Sequence, residues 1–461
     1  MDLGSHLPLW SIIPFVGMLL SIAILPLVKG EWWEKHQLHG ALFWAFLFLI
    51  PFAIAFGLTE TVYELMESVV LDYIPFIVLL LGLFVVAGNI HVGGAIAGTT
   101  RNNVILLAIG TFLASWVGTT GAAMLLIRPV LRANQWRKYK THIIVFFIFM
   151  VANMGGCLTP LGDPPLFLGY LRGVPFFWTM QHIWPILLMN VVILLVAFAL
   201  LDRHFVKREG EDGKAALALQ MKASKGMKLH LDGAHNIIFL VVIIFAVIIN
   251  GVIPQIDACL DANGQVIGVD AWEGIHLGID YFIQIALILA AALGSWCTTK
   301  KSIREDNDFE WAPIAEVAKL FIGIFITMIP ALALLRTYGS TLGIDSPLKF
   351  FWITGALSSF LDNSPTYVVF LTTAGSLGAS AGVGALTTTV GVVAENLLLA
   401  ISAGAVFMGA ITYIGNAPNF MVKSISERSG GVKMPSFFGY MGWSCSILIP
   451  LFIIDTVVFF L

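Results

Sequence analysis

The chain of 461 residues is 58% hydrophobic and only 11% charged, and its mean hydropathy is +0.90. Because soluble globular domains carry about a quarter charged residues, this composition excludes a protein that covers its surface in water and requires lipid as the solvent. The net charge of −3 is small, and the basic residues are spread among many short segments, so the sequence gives no support for nucleic-acid binding.

Eight uninterrupted apolar segments come close to the roughly 20 residues that a helix needs to cross the hydrocarbon layer. We therefore predict an all-α polytopic membrane protein in which each of these segments is a spanning helix in the lipid bilayer. The segments lie at about 9–28, 38–58, 73–93, 182–201, 235–253, 279–296, 313–336 and 436–461.

Two other apolar regions are interrupted near their centres by small and polar residues. Residues 103–132 contain a Gly-Thr-Thr-Gly stretch at 118–121, and residues 346–375 contain Asp-Asn-Ser-Pro at 362–365. About thirty residues is long for a single crossing. Each region therefore predicts a re-entrant hairpin, which enters and leaves the membrane by the same face.

Two further regions predict helices that are broken at membrane depth. Residues 143–180 are interrupted by Gly-Asp-Pro-Pro at 162–165, and residues 390–430 by Gly-Asn-Ala-Pro at 415–418. Such breaks expose backbone N–H and C=O groups, which are tolerated in a membrane only inside protein or beside a water-filled cavity.

The basic residues predict the orientation of the chain. If the hairpins do not cross and the broken helices do, 20 of the 25 lysines and arginines fall on one side, in the segments 29–37, 94–102, 132–142, 202–234, 297–312 and 423–435. The loops of the other side, 1–8, 59–72, 254–278 and 375–384, hold none. Cytoplasmic loops are enriched in basic residues. We therefore expect the segment 202–234 to be cytoplasmic and both termini to lie outside, in the cell inner (plasma) membrane.

The two halves of the chain share one order of parts, which predicts an inverted repeat. Repeat one (1–201) and repeat two (235–461), separated by the linker 202–234, each contain three spans, a hairpin, a broken helix and a final span. Five crossings per half is an odd number, so the second half should be inverted. A Gly-x-x-Thr-x-x-Gly pattern at 156–162 recurs 253 residues later, at 409–415. This layout is typical of secondary transporters, whose sites lie where the breaks converge, and we predict a transporter rather than an enzyme.

Polar residues at the breaks are the candidate ion ligands. Helix ends present free N–H and C=O groups, and hydroxyl, amide and carboxylate oxygens suit hard cations such as sodium. A carboxylate at membrane depth costs roughly 2.5–3.5 kcal/mol, so the two aspartates are the strongest candidates. The predicted binding residues are Thr119, Thr120, Thr159, Asp163, Asp362, Asn363, Ser364, Thr366, Thr412 and Asn416, with Asp163, Asp362, Asn363 and Asn416 as sodium candidates.

A purely structural role is the alternative for the same residues. Each threonine, serine or aspartate could simply cap a helix, and each aspartate could form a structural ion pair with Arg128, Arg172 or Lys423. No cofactor is predicted, since sodium would be a transported or coupling ion.

The stretches at 156–165, 362–366 and 413–419 resemble the ion transporter superfamily. The resemblance is closest to the branch that holds D-type sodium:proton antiporters and citrate transporters, with arsenite permeases and divalent anion:sodium symporters as relatives. It implies a homodimer in which the hairpins and broken helices move against a scaffold of outer spans in an elevator-like step. The symporters carry Ser-Asn-Thr at both hairpin tips, whereas this chain has Gly-Thr-Thr at 118–120 and Asp-Asn-Ser at 362–364.

Charge favours sodium (or lithium):proton antiport, because one carboxylate can hold either ion but not both. Sodium-coupled symport of citrate or another dicarboxylate stays open, since sodium could neutralise the aspartates and Arg172 or Arg128 could bind a carboxylate. A remote alternative is an intramembrane aspartyl protease. Those enzymes resemble a Gly-x-Gly-Asp pattern, but Pro160 stands at its first position here, and a protease would not account for the repeat.

Overall fold

The computed structural model describes residues 3–224, 229–261, 264–272, 274–380, 382–428 and 430–461, and these residues are mostly helical. The helices of the first half are α1 (Leu3–His6), α2 (Ile13–Phe56), α3 (Leu58–Met66), α4 (Ile74–Gly88), α5 (Thr100–Val117), α6 (Thr119–Ala133), α7 (Thr141–Met150), α8 (Pro164–Leu171) and α9 (Trp178–Arg208). The helices that follow are α10 (Gly210–Ser224), α11 (Asn236–Val252), α12 (Ile279–Thr298), α13 (Lys301–Asp306), α14 (Ala312–Tyr338), α15 (Pro347–Ser358), α16 (Asn363–Ser376), α17 (Glu395–Met408), α18 (Ala417–Arg428) and α19 (Phe437–Asp455).

Shorter segments complete the backbone. Tighter 3₁₀ turns lie at Leu9–Ile12, Met154–Leu158, Ile253–Gln255, Asp257–Cys259, Gly339–Leu342 and Gly409–Ile411, and π-helical segments at Glu67–Tyr73 and Thr456–Phe460. Three antiparallel pairs of strands join β1 (His91–Gly93) to β2 (His230–Asp232), β3 (Gly268–Trp272) to β4 (Ile275–Gly278), and β5 (Ala385–Thr388) to β6 (Gly391–Ala394).

The all-α polytopic class is confirmed. Within the described ranges, nine helical segments are long and apolar enough to cross a membrane, and Glu395–Ile411 is a shorter apolar helix. These ten segments coincide with the eight predicted spans and with the first parts of the two predicted broken helices. The sidedness of the chain and the inverted orientation of the second half stay predictions.

Two predicted connections between spans are helical in the structure. The segment 59–72, predicted as a loop, lies within α3 and the π-helical segment that follows it. Its glutamates lowered its hydropathy, but glutamate is a good helix former. The segment around 29–37 is also helical and is bent at Lys29, whose φ of −141° and ψ of 55° lie outside the helical region.

The linker 202–234 is more ordered than a simple connection between halves. Helix α9 continues to Arg208, α10 follows it, and β2 pairs with β1 of the first half. The carboxylate of Glu209 accepts hydrogen bonds from the backbone N–H groups of Lys138 (3.1 Å) and Tyr139 (2.7 Å). The linker is therefore attached to the segment that follows the first hairpin.

The broken helices occupy the centre of the molecule. In the most apolar window of Thr141–Leu158, 89% of the residues are buried, against 22% in Val28–Phe56. A polar group that lies at a break in such a central helix is shielded by protein on every side, which is the situation in which broken backbone is tolerated.

Candidate functional site

The first hairpin turns at one glycine. Gly118 has a φ of +80° and joins α5 to α6, a conformation that glycine adopts without steric cost. The backbone N–H of Thr119, the first residue of α6, donates a hydrogen bond of 2.8 Å to the carbonyl of Gly162. The hairpin tip thus lies directly against the break in the neighbouring helix.

Close backbone packing shapes the first broken helix. A Cβ atom on Gly162 would lie 2.2 Å from the carbonyl oxygen of Gly156, so neither wall of this contact has room for a side chain. After the break, Asp163 has extended backbone angles (φ −142°, ψ 138°) and precedes Pro164 at the first position of α8. Proline is favoured there because the first helical N–H has no partner within the helix.

The same hydrogen bonds recur at the second break. The Thr159 hydroxyl donates to the Ser115 carbonyl, and the Thr412 hydroxyl donates to the Ser359 carbonyl at 2.5 Å. The serine hydroxyls in turn donate to backbone carbonyls of the broken helices. Thr159 and Thr412 therefore fasten each hairpin tip to its broken helix, and their hydroxyls are already engaged.

Asp163 lies where the two hairpin tips and the breaks of the two broken helices meet, and it is only 1% exposed. Its Oδ1 accepts hydrogen bonds from Thr119 Oγ1 (3.0 Å) and Asn416 Nδ2 (3.1 Å), and its Oδ2 accepts one from Asn363 Nδ2 (2.7 Å). Thr119 and Asn363 begin the second helix of each hairpin, and Asn416 lies at the second break. All three donors are neutral.

Among the hydrogen bonds of the described residues, none joins the side chains of Asp362, Ser364 or Thr366 to Asp163. Asp362 caps α16, since its Oδ1 accepts a hydrogen bond of 2.9 Å from the Ser364 N–H. Thr366 donates to the backbone carbonyl of Asp362 at 2.9 Å, and the Ser364 hydroxyl lies 3.4 Å from Asn363 Oδ1. The capping alternative thus describes the geometry of Asp362.

Thr120 is half-buried in the first turn of α6. Among the hydrogen bonds found in the described part of the chain, none joins the Thr120 side chain to another predicted site residue. The structure therefore brings together Thr119, Asp163, Asn363 and Asn416, and leaves Thr120 beside them.

Two asparagines that the sequence analysis did not select lie beside this cluster. Asn153 Nδ2 donates to Asn419 Oδ1 (2.7 Å), and both side chains are fully buried. Asn153 Oδ1 has no hydrogen-bond partner. Asn416 Nδ2 also donates, at 3.2 Å, to the carbonyl of Ala152, the residue that precedes Asn153 in the chain. An asparagine inside an apolar run was the available signal for Asn153.

The basic residues proposed as partners of the aspartates are engaged elsewhere. Arg128 pairs with Asp308 (3.2 Å), Arg172 with Asp72 (2.8 Å) and Lys423 with Glu427 (2.9 Å). Within the described ranges, Asp163 and Asp362 form no ion pair. The alternative that either aspartate serves a structural ion pair with one of these three residues is therefore not what the structure shows.

Comparison with known proteins identifies the family. Residues 4–460 match the model of a family described as "putative citrate transport". A stretch of 106 residues is 38% identical to protoheme IX farnesyltransferase of Deinococcus radiodurans, but it covers 21% of this chain and 31% of that protein. The chain thus spans less than a third of the curated relative, and this likeness carries no argument about activity. The family match covers nearly the whole chain, which is therefore a member of this family and a multi-pass, membrane-embedded secondary transporter.

Proposed function

We propose that the protein exchanges sodium or lithium ions for protons, and that Asp163 is the group that holds either ion. One observation carries the proposal: a fully buried carboxylate receives three neutral hydrogen bonds and, among the residues that the structure describes, has no positively charged partner. An uncompensated charge in such a place is costly. A proton or a small cation would remove that cost, and the two exclude one another at one carboxylate.

The neighbouring amides suit such a competition. An asparagine side chain offers both a donor nitrogen and an acceptor oxygen. In the geometry observed, Asn363 and Asn416 direct their nitrogens at Asp163, which stabilises the ionised carboxylate. If a cation binds there, rotation of the amides would replace N–H groups with oxygens, the ligands that hard cations prefer.

The same contacts support an elevator-like step. Asp163 of the first broken helix contacts Thr119 of one hairpin and Asn363 of the other. If the hairpins and broken helices move together against the outer spans, the site stays intact while its access changes from one side of the membrane to the other. This part of the proposal, like the homodimer, derives from the family resemblance.

Sodium-coupled symport of citrate or another small carboxylate is the second candidate, and the family description favours it. A citrate site needs positive charge, yet Arg128 and Arg172 are already paired with aspartates. In this case sodium would first have to neutralise Asp163, which would be a sodium ligand rather than an exchange group.

Transport by the purified protein in liposomes, loaded with a pH-sensitive dye, distinguishes the two candidates. We would impose a proton gradient and add sodium, lithium or potassium outside, and then repeat the assay with citrate. For antiport, sodium or lithium dissipates the gradient with the wild type and not with Asp163→Asn. The exposed aspartate of the Asp345–Lys349 pair provides the matched control, Asp345→Asn, which should behave as wild type.

The opposite pattern would reject antiport. If cations alone leave the gradient unchanged, while citrate enters only in the presence of sodium, the protein is a symporter. Dissipation of the gradient by Asp163→Asn at the wild-type rate would show that another group exchanges the proton.

A further inference from the structure

A second buried carboxyl group, Asp455, lies at the end of α19. Its side chain is fully buried, and its Oδ2 accepts one hydrogen bond of 2.9 Å from Nδ2 of Asn190 in α9. Two oxygens of this pair have no partner, namely Oδ1 of Asp455 and Oδ1 of Asn190. Buried polar atoms are satisfied in the great majority of cases, so two orphaned oxygens on one pair of side chains require an explanation.

The residues one helical turn away from the pair on its own two helices are apolar. The residues one helical turn from Asn190 and the residues one turn before Asp455 are Ile186, Leu187, Ile193, Leu194, Leu451 and Phe452. Asp455 takes part in none of the ion pairs found among the described residues. An ionised Asp455 would therefore be a buried charge held by a single neutral hydrogen bond, an arrangement that is strongly unfavourable.

Three of the titratable groups on the helices packed against this site have other partners. His182 of α9 lies 3.8 Å from Glu395, and His142 of α7 contacts Asp202 at 2.8 Å. Lys349 of α15 pairs with Asp345. The other basic groups of α9, from Arg203 to Arg208, begin 13 residues (203 − 190) beyond Asn190, about 20 Å along the helix. Among the described residues, no basic group forms an ion pair with Asp455.

We propose that Asp455 holds a proton, and that its protonated Oδ1 donates a hydrogen bond to Oδ1 of Asn190. The acid and the amide would then form a ring closed by two hydrogen bonds, with Asn190 Nδ2 donating to Asp455 Oδ2 in the other direction. One proton satisfies both orphaned oxygens at once. The ring joins the last span of the first half to the last span of the second half.

The oxygen count favours a proton over a metal ion. A hard cation takes about six oxygen ligands, whereas this site offers the two carboxyl oxygens and one amide oxygen. The proposal does not depend on sodium:proton exchange at Asp163, which receives three donors and needs no proton to satisfy its oxygens.

An aspartate at the corresponding place in the first half has the opposite environment. Asp202 precedes Asp455 by 253 residues, the spacing of the repeated Gly-x-x-Thr-x-x-Gly pattern. It accepts hydrogen bonds from Arg137 (2.5 Å), His142 (2.8 Å) and Thr100 (2.5 Å). Those donors compensate a negative charge, so Asp202 keeps its ionised form and only Asp455 of this pair carries the proton.

Infrared spectroscopy of the purified wild type at neutral pH tests the proposal, since a protonated carboxylic acid has a carbonyl stretching band distinct from that of a carboxylate. We expect Asp455→Asn to lose one such band, while Asp163→Asn serves to assign any band from the other buried acid. Asn190→Leu should retain the Asp455 band and shift it to higher wavenumber, because the acid carbonyl loses its N–H donor.

Each outcome decides the proposal. If the carboxylic-acid carbonyl region of the folded Asp455→Asn variant is unchanged from that of the wild type, Asp455 is ionised and the proposal fails. An unshifted band in Asn190→Leu would overturn the ring. Loss of the wild-type band on addition of sodium at constant pH would show that the site takes a cation instead. Because no readout is a transport rate, these results are independent of the assay for antiport.

Discussion

Asp163 and Asp455 are both buried, but they accept different numbers of hydrogen bonds. Asp163 accepts three, from Thr119, Asn363 and Asn416, whereas Asp455 accepts one, from Asn190. Hydrogen bonds to the ionised form favour it, and burial without them disfavours it. The side chains around each carboxyl, rather than its depth alone, therefore decide which ion it can hold.

Asp362 offers a test at the residue scale of how far the site extends. Its carboxylate caps α16, and asparagine is as good a cap as aspartate. We therefore expect Asp362→Asn to retain a larger part of the sodium- or lithium-driven exchange than Asp163→Asn retains. The measurement is the initial rate of dye response in liposomes. A loss equal to that of Asp163→Asn would show that Asp362 is an ion ligand as well as a cap.

Pairs of close-packed glycines define the broken helices at the element scale. Cβ atoms placed on Gly162 and on Gly415 would lie 2.2 Å and 2.5 Å from the carbonyl oxygens of Gly156 and Gly409. Backbone oxygens cannot move aside as a flexible side chain can. The glycine pattern in the sequence therefore reflects a packing requirement of each break.

Gly162→Ala should disturb the first break. We expect the added methyl group to destabilise the fold by about 1–3 kcal/mol, the usual range for overpacking, and to displace Asp163 from its donors. The midpoint of thermal unfolding in detergent and the exchange rate should both fall. Gly442→Ala is the matched control, because a Cβ there would meet no described atom within 4 Å apart from its chain neighbours and the backbone of its own helix. Equal unfolding midpoints for the two variants would contradict the packing argument.

The threonines that fasten the hairpin tips allow a prediction for each half. Thr159→Val and Thr412→Val remove the hydroxyls that bond to Ser115 and Ser359 while keeping the side-chain volume. We expect each to cost about 1–3 kcal/mol, because a buried carbonyl loses its donor, and to lower the exchange rate. Unchanged stability in both variants would show that these bonds do not hold the tips.

Buried polar contacts join distant segments at the scale of the whole molecule. Asn89, after α4, donates to Ser295 of α12 (2.7 Å), and Asn236 of α11 donates to the carbonyl of Asn89 (2.9 Å). In the first half, Arg137 and Asp202 form a fully buried pair at 2.5 Å, and Arg137 also donates to the Gly98 carbonyl. These contacts connect the segments on either side of the first hairpin to the end of α9.

Breaking the buried ion pair should destabilise the whole protein. Arg137→Met would leave Asp202 buried without its cation, and such a change costs roughly 3–5 kcal/mol. Lys349→Met removes an exposed pair with Asp345 and should cost about 0–1 kcal/mol. Thermal unfolding of both variants in the same detergent provides the measurement. A similar, small shift for both would mean that the Arg137 pair contributes little to stability.

The sequence by itself determined the class of the protein, its eight uninterrupted apolar segments and the positions of its breaks. These features are local, because the length of an apolar run and an interruption by glycine, proline or a polar residue can be counted along the chain. The same count gave a wrong prediction for the segment 59–72, because its glutamates lower the hydropathy but do not prevent a helix. The likeness to transporters of this family was also readable, because its motifs are short and continuous.

Only the tertiary structure decided which polar groups meet. Asn363 and Asn416 lie 200 and 253 residues from Asp163 in the chain, and their contacts depend on how the hairpins and broken helices pack. Packing likewise pairs Arg128 and Arg172 with other aspartates. It leaves Asp455 with a single hydrogen-bond donor, Asn190. A side chain's partner is set by the rotation and depth of its helix against helices far away in sequence, and no local pattern records these.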